Sequence, residues 1–232
     1  MKVLIVAAHA DDEALGCGGT IALHADAGDD IAALFMTDGV GSRTGSGNIE
    51  AQARTSAMES ALFVLGVAHH KAFDFPDNAM DSVSFLQIPK AIEDFCSVWG
   101  VPDIVYTHHD SDLNIDHRIT RTAALTCFRP QPSMNGLPSR ILSFEVLSST
   151  GWGGHTPNPF QPNYFVDISA TLRRKLTAIN AYAEEMRPWP HARSVESVDF
   201  LARHRGAAIG IEAAEAFVVE RIINRFENHQ VQ

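Results

Sequence analysis

Cysteine is scarce in this chain: Cys17, Cys96 and Cys127 are odd in number and widely spaced. They fit no disulfide framework and no paired-thiolate zinc site, so three buried apolar side chains in a reducing compartment are expected. Basic residues are also in deficit. Eighteen Lys and Arg stand against 28 Asp and Glu, a formal net charge of −10. No basic cluster is present to neutralise phosphates, which argues against a nucleic-acid partner. No apolar run approaches the ~20 residues needed to cross a bilayer. The N-terminal run is like a short signal core, but Lys2 is its only basic residue, and His9 and Asp11 interrupt it. It therefore reads as a strand, and a cytoplasmic protein without a transmembrane segment is expected. The 232 residues, 45% of them hydrophobic, fit one α/β domain with a sizeable core.

What is present is an alternation. Strand-like runs at 2–8, 31–37, 70–75, 102–107 and 140–147 alternate with helical stretches at 13–27, 50–65, 83–98 and 117–128. Such alternation predicts βαβ units and a mostly parallel sheet with helices on both faces. A strand at 164–168, a helix over about 170–185, an irregular link at 187–194, a helix over about 195–206 and a closing strand at 216–222 follow. Two stretches cannot be regular structure. The segment 38–48 has four glycines and reads as a lid or as a passive connector, and 149–159 holds Trp152 and His155.

Chemistry concentrates at two strand ends. Ala8-His9-Ala10-Asp11-Asp12-Glu13 follows the first strand, placing a His and two adjacent carboxylates where open α/β sheets bind ligands. His108-His109-Asp110-Ser111-Asp112-Leu113-Asn114-Ile115-Asp116-His117 follows the strand at 102–107. Parallel strands bring both clusters to one rim. His9, Asp12 and His117 then make a His₂Asp set, and three protein ligands leave one position for water, as in catalytic rather than structural zinc sites. Such a metal lowers the pKa of water toward ~7. Fe²⁺ or Co²⁺ would also bind this set. Asp11 and Asp12 are adjacent, so their side chains diverge: one binds metal and the other faces the water. Helix capping is the competing reading of this pair. Gly16-Cys17-Gly18-Gly19 invites a dinucleotide-binding reading, but the third glycine of that fingerprint would fall at position 21, which is Ile. The glycines instead suit close packing of the first helix on the sheet. His24, His69, His70, His204 and His229 have no acidic partner at useful spacing and are read as structural.

The stretch Ala8–Glu13 with Gly16-Cys17-Gly18-Gly19-Thr20, and Asp112-Leu113-Asn114-Ile115-Asp116-His117-Arg118, resemble the two motifs of the PIG-L/LmbE-type zinc-dependent deacetylases. Arg54 ahead of Leu65-Gly66-Val67, Ser143–Val146, Asn163–Ile168, Arg187–His191, Arg205-Gly206 and Ala214–Phe217 extend the resemblance over nearly the whole chain. It implies a Rossmann-like single domain over 1–232, with a core at about 1–147 and a substrate-pocket portion at about 148–232. It implies zinc and removal of an N-acetyl group, usually from a glucosamine-type sugar or sugar conjugate. By residue-wise match His9, Asp12 and His117 take the metal, Asp11 is the general base, and Arg54 helps bind substrate. Trp152, His191 and the 38–48 loop are expected to wall the sugar pocket, with Asp112 and Asp116 standing behind the metal ligands.

Three positions depart from the family pattern. Ala10 replaces a usual Pro, Gly151 stands where an acid often precedes Trp152, and Asn114 stands where many members have His. Asn can donate a hydrogen bond to an oxyanion but cannot transfer a proton near neutrality. The leaving amine's proton is then expected from Asp11, with His108, His109 and His191 as the other candidates. Hydrolysis of a non-sugar amide and a catalytically silent binding scaffold are the rival readings. A homo-oligomer is left open.

Overall fold

Val3, Ile5 and Ala7 alternate with Leu4 and Val6 along the first strand, and all five are buried, because each set faces a different layer of helices. This is the period-two pattern of a sheet covered on both sides. The computed structural model describes residues 1–37, 48–131, 136–152, 154 and 158–224, with backbone alone at 48–51. The elements in chain order are β1 (Lys2–Ala7), α1 (Asp12–Asp26), β2 (Asp30–Thr37), α2 (Asn48–Leu65), β3 (His69–Phe75), α3 (Gln87–Trp99), β4 (Ile104–His108), α4 (Ile115–Cys127), β5 (Arg140–Phe144), β6 (Tyr164–Asp167), α5 (Leu172–Ala181), α6 (Val195–Ala207) and β7 (Ala214–Ile222). They form a seven-stranded sheet in the order β3-β2-β1-β4-β5-β7-β6. The five strands β1 to β5 are parallel, and β7 runs antiparallel between β5 and β6. The expected α/β architecture is the one observed, with α1, α2 and α5 packed on one face and α3 and α4 on the other.

Element limits differ from expectation where local chemistry intervenes. The run 140–147 leaves the sheet after Phe144, and the helix expected from 83 starts at Gln87, after a 3₁₀ turn at Met80–Ser82. The helix α4 starts at Ile115 rather than 117, because the Asn114 side chain accepts the Asp116 N–H at 2.8 Å and caps it. That cap puts Asp116 and His117 on the first turn.

The glycines of α1 do pack against the sheet. A Cβ on Gly16 would lie 2.3 Å from Phe144 Cδ2, and one on Gly19 2.8 Å from Ile168 Cδ1. Between them Cys17 leaves helical geometry (φ −144°, ψ 22°). The break frees the N–H groups of Gly19 and Thr20, which donate to the buried Glu215 carboxylate at 2.9 and 2.7 Å. Lys175 Nζ completes this cluster, 2.5 Å from Glu215 Oε1 and 2.8 Å from the Leu15 carbonyl, so both carboxylate oxygens and two ammonium donors of the buried pair are engaged. Cys17 and Cys127 are buried, Cys96 is only half-buried, and all three are free. Two histidines read as lacking acidic partners have them after all: His24 Nδ1 lies 2.6 Å from Asp29 and His69 Nε2 3.1 Å from Asp30. No helix among the described residues is long and apolar enough to cross a membrane.

Candidate metal centre and active site

Crossovers from β1 to β2 and from the β2–β3 half to β4 leave β1 on opposite sides, so the strand order reverses between β1 and β4. That is the crevice where open α/β sheets hold ligands. The two strand ends are tied there: the Ala8 N–H donates to His108 Nε2 at 2.9 Å. His9 and Asp12 come from the turn after β1, and His117 from the capped start of α4.

Three donor atoms converge in this crevice. His9 Nδ1 is 3.2 Å from His117 Nε2, His9 Nδ1 is 3.3 Å from Asp12 Oδ2, and His117 Nε2 is 3.3 Å from the same oxygen. Metal bonds of ~2.0–2.1 Å at tetrahedral angles set donor atoms about 3.3–3.4 Å apart, so this triangle has the size a zinc-like ion needs. The chemistry of the donors agrees. His9 Nε2 lies 3.1 Å from Asp77 Oδ1 and 3.2 Å from Asp116 Oδ2, and His117 Nδ1 lies 3.0 Å from Asp112 Oδ2. These carboxylates accept the far-side ring N–H, which turns the near-side lone pairs toward one point. Asp116 is itself fixed by the N–H groups of Asn78 (2.6 Å) and Met80 (3.1 Å). Asp112 is fixed by the hydroxyls of Ser149 (2.8 Å) and Thr150 (2.7 Å). Among the described residues, three overlapping His/Asp groups have metal-ligand spacing, and each includes His9 or His117.

Electrostatics follow from burial and these partners. Burial opposes charge on His117, but Asp12 and Asp112 override it and raise its pKa to about 9. His9 is likewise raised well above the usual imidazole value, against its burial, by Asp116, Asp12 and Asp77. Burial alone would raise Asp12; the charge of His117 instead holds it well below the carboxylate range. His108 is different. Burial and the neighbouring His117 push it down to about 3, so it stays neutral, stacked on His117 with ring centres 3.9 Å apart.

Asp11 stands apart from the triangle. It occupies the N-cap position of α1 at φ 118°, yet its side chain makes no capping hydrogen bond. Such a conformation is costly for a residue with a Cβ and needs outside support. Glu13 Oε2 accepts the Asp11 N–H at 3.0 Å, and Tyr182 OH holds Glu13 Oε1 at 2.7 Å. Arg193 Nη1 donates to Asp11 Oδ2 at 2.7 Å. Asp11 Oδ1 and Asp12 Oδ1 are buried and have no hydrogen-bond partner among the described residues. Burial raises the Asp11 pKa to about 6, with Arg193 pulling it down and Asp12 pushing it up.

The other expected residues fall as follows. Arg54 projects from α2 beside the site, where its charge is felt by Asp11, and lies 3.6 Å from Glu185. Both ends of the Asn114 amide are engaged, Oδ1 as the α4 cap and Nδ2 with Asn78 Oδ1 at 3.2 Å. Trp152 is exposed, and its backbone N–H donates to the Ser149 carbonyl on the loop that carries Asp112's partners. His191 is exposed and accepts the Arg193 N–H on Nδ1 at 3.0 Å, so it belongs to the segment that delivers Arg193. His109 is buried against Phe160 and bonded to Ser111. The loop at 38–47 and His155 lie outside the described residues. Sequence reasoning missed Arg193, Glu13 with Tyr182, Asp77 and Ser149. Only Glu13, two residues past Asp11, carried a local signal.

The sequence pattern of the PIG-L family, described as GlcNAc-PI de-N-acetylase, matches residues 4–128. That stretch spans both ligand clusters and Arg54. An uncharacterized deacetylase of Escherichia coli K12, YaiS, is 31% identical over 182 residues, 74% of this chain and 89% of the relative. The diacetylchitobiose deacetylase of Thermococcus kodakarensis is 30% identical over 199 residues, 79% of this chain and 70% of the relative. Among solved structures, the N,N'-diacetylchitobiose deacetylase of Pyrococcus horikoshii superposes with a TM-score of 0.75 at 24% identity, covering 94% of this chain and 83% of that one. That likeness speaks to the fold. The family match, the two relatives and the His/Asp/His group together give one conclusion: the chain belongs to the PIG-L family of metal-dependent de-N-acetylases.

Proposed function

We propose that this protein hydrolyses the N-acetyl group of an N-acetylglucosamine-type sugar or sugar conjugate, with zinc held by His9, Asp12 and His117. The observation that carries this reading is the pairing of a converged donor triangle with a second buried carboxylate, that of Asp11, whose Oδ1 has no hydrogen-bond partner among the described residues. Zinc bound there would act as a Lewis acid on the amide carbonyl and lower the pKa of water toward ~7. Fe²⁺ and Co²⁺ suit the same donors.

The remaining work falls to the chain. Asp11 Oδ1 accepts the proton of the attacking water, and the same carboxyl group returns it to the nitrogen of the departing amine. A pKa raised to about 6 by burial fits a group that must both take and give a proton near neutrality. Asp112 and Asp116 hold the two imidazoles in register. Asn114 keeps one Nδ2 hydrogen beyond its bond to Asn78 and offers it to the oxyanion. Arg54, Trp152 and His191 wall the sugar, Arg54 from the Asp11 side and the other two from the C-terminal loops. The relatives support a sugar: two of the proteins compared are named for diacetylchitobiose, a disaccharide.

The test is acetate release from a panel of N-acetylglucosamine, N,N'-diacetylchitobiose, N-acetylated sugar nucleotides and glycosides, beside non-sugar N-acetyl amides, with and without a chelator. Chelator-sensitive release from the sugars alone is expected. Release from the non-sugar amides alone would move the substrate class, and release from none would favour a silent scaffold.

A further inference from the structure

The segment Arg187–Ser194 is an irregular link in which the sequence marks His191 but gives Arg193 no role. In the structure it is tightly fastened. The Arg187 N–H donates to the Arg193 carbonyl at 2.9 Å, the Ser194 N–H to the His191 carbonyl at 3.1 Å, and Ser194 Oγ caps α6 through the Ser197 N–H at 3.0 Å. The product of this folding is one side chain. Arg193 extends from it to the metal crevice and is gripped at two points, with Nε on Ser148 Oγ at 2.8 Å and Nη1 on Asp11 Oδ2 at 2.7 Å.

Asp11 has a competing place to go. It sits at the N-terminus of α1, where a carboxylate normally turns onto the free N–H groups of the first turn. It makes no such bond. Its Oδ2 lies instead on the guanidinium, and its Oδ1 has no partner among the described residues. The guanidinium, held through Nε by Ser148, fixes where Asp11 Oδ2 sits with a single charge-assisted hydrogen bond.

We infer that Arg193 is the positioning residue for Asp11: it draws the carboxylate off the helix cap by one oxygen and leaves the other bare for proton transfer. This rests on the reading of Asp11 as the base. Arg193 acts through Asp11 and touches neither the metal donors nor, on this account, the substrate.

The experiment compares R193A, R193K, S148A, D11N and the double variant D11N/R193A in metal content and in kcat and KM on the most active panel sugar. R193A should keep stoichiometric metal and lose on the order of 10²-fold in kcat, the usual effect of a misplaced reacting group, with KM little changed. Millimolar guanidinium chloride should restore part of that loss in R193A and none in D11N/R193A. The double variant should be no slower than D11N. R193K should fall between R193A and the parent, and S148A should lower kcat more mildly. These last two keep the test decisive if R193A does not fold. Parent-like kcat in R193A would overturn the inference, as would a rise in KM at constant kcat, which would make Arg193 a substrate contact. If D11N is inactive while R193A is normal, only the role of Arg193 falls. If D11N turns over normally, the base assignment falls and takes this inference with it.

Discussion

If His9, Asp12 and His117 hold the metal as proposed, protons compete with it for the imidazoles, and its affinity should depend steeply on pH. His117 has its pKa raised to about 9 and His9 is raised as well, so without metal the imidazole pair favours holding a proton at pH 7. Asp12 is held low and is already ionised. A metal ligand must be a neutral imidazole, so binding at pH 7 should release at least the proton of His117. Each displaced proton tightens Kd tenfold per pH unit, about 1.4 kcal/mol. An ordinary imidazole would stop contributing near pH ~6.5. His117 carries the dependence on to about 9, a span of about 2.5 units. At 1.4 kcal/mol per unit, His117 alone is worth about 3.5 kcal/mol, or roughly 300-fold in Kd. The assay is chelator competition from pH 6 to 9.5, with calorimetry in buffers of different ionisation heat to count protons. A Kd that is flat above pH 7, or binding at pH 7 without proton release, would refute the reasoning. Asp112→Asn sharpens the test. Loss of that carboxylate should move the plateau to lower pH and weaken Kd at high pH by about 10–100-fold, the usual effect of losing a ligand's outer partner.

Four further outcomes are expected. Asp11→Asn should bind metal normally and lose on the order of 10²–10⁴-fold in turnover, and the parent's turnover should fall as pH drops through about 6, where Asp11 gains its proton. Asn114→Asp keeps the cap acceptor of α4 but lacks the N–H donor, so it should hold its Tm yet lose about 10²-fold in kcat; equal kcat in this variant would leave Asn114 as a cap alone. Gly16→Ala drives a methyl to 2.3 Å from Phe144 Cδ2, and urea unfolding should show a loss of about 1–3 kcal/mol. Glu13 is raised by burial from 4.5 to about 8, so the folded state binds the proton more tightly, and stability should fall as pH rises from about 4.5 to 8 and level off above. Glu13→Gln should flatten that decline in urea unfolding measured across the same window.

The sheet and the converging His9, Asp12 and His117 donors were legible because their signals are local. The unbroken apolar run of β1, the polar clusters directly after β1 and β4, and the two-residue reach from His9 to Asp11 can all be read from neighbours in the chain. Parallel pairing of β1 with β4 then brings the clusters together without further information. The place of β7 between β5 and β6 was not legible, since nothing local records which edge a late strand joins. Arg193 was missed for the same reason: it meets Asp11 across 182 residues, from a segment with no periodicity. Asp77 reaches His9 from the loop before a 3₁₀ turn whose course depends on Asp116. Asn114 shows the opposite case. An Asn just before a helix is a cap signal, and the structure uses it so, beside the chemistry expected of it from its distance to His117.

The metal triangle and its reaction meet most directly in one measurement: acetate release from the N-acetylated sugar panel by chelator-stripped protein, titrated back with zinc. The stripped protein should be inert, and activity should return in proportion to added zinc up to one equivalent and not beyond. His117→Ala, treated identically, should neither retain the ion nor recover turnover. Undiminished acetate release from the stripped protein, or full recovery in His117→Ala, would contradict a catalytic metal held by His9, Asp12 and His117.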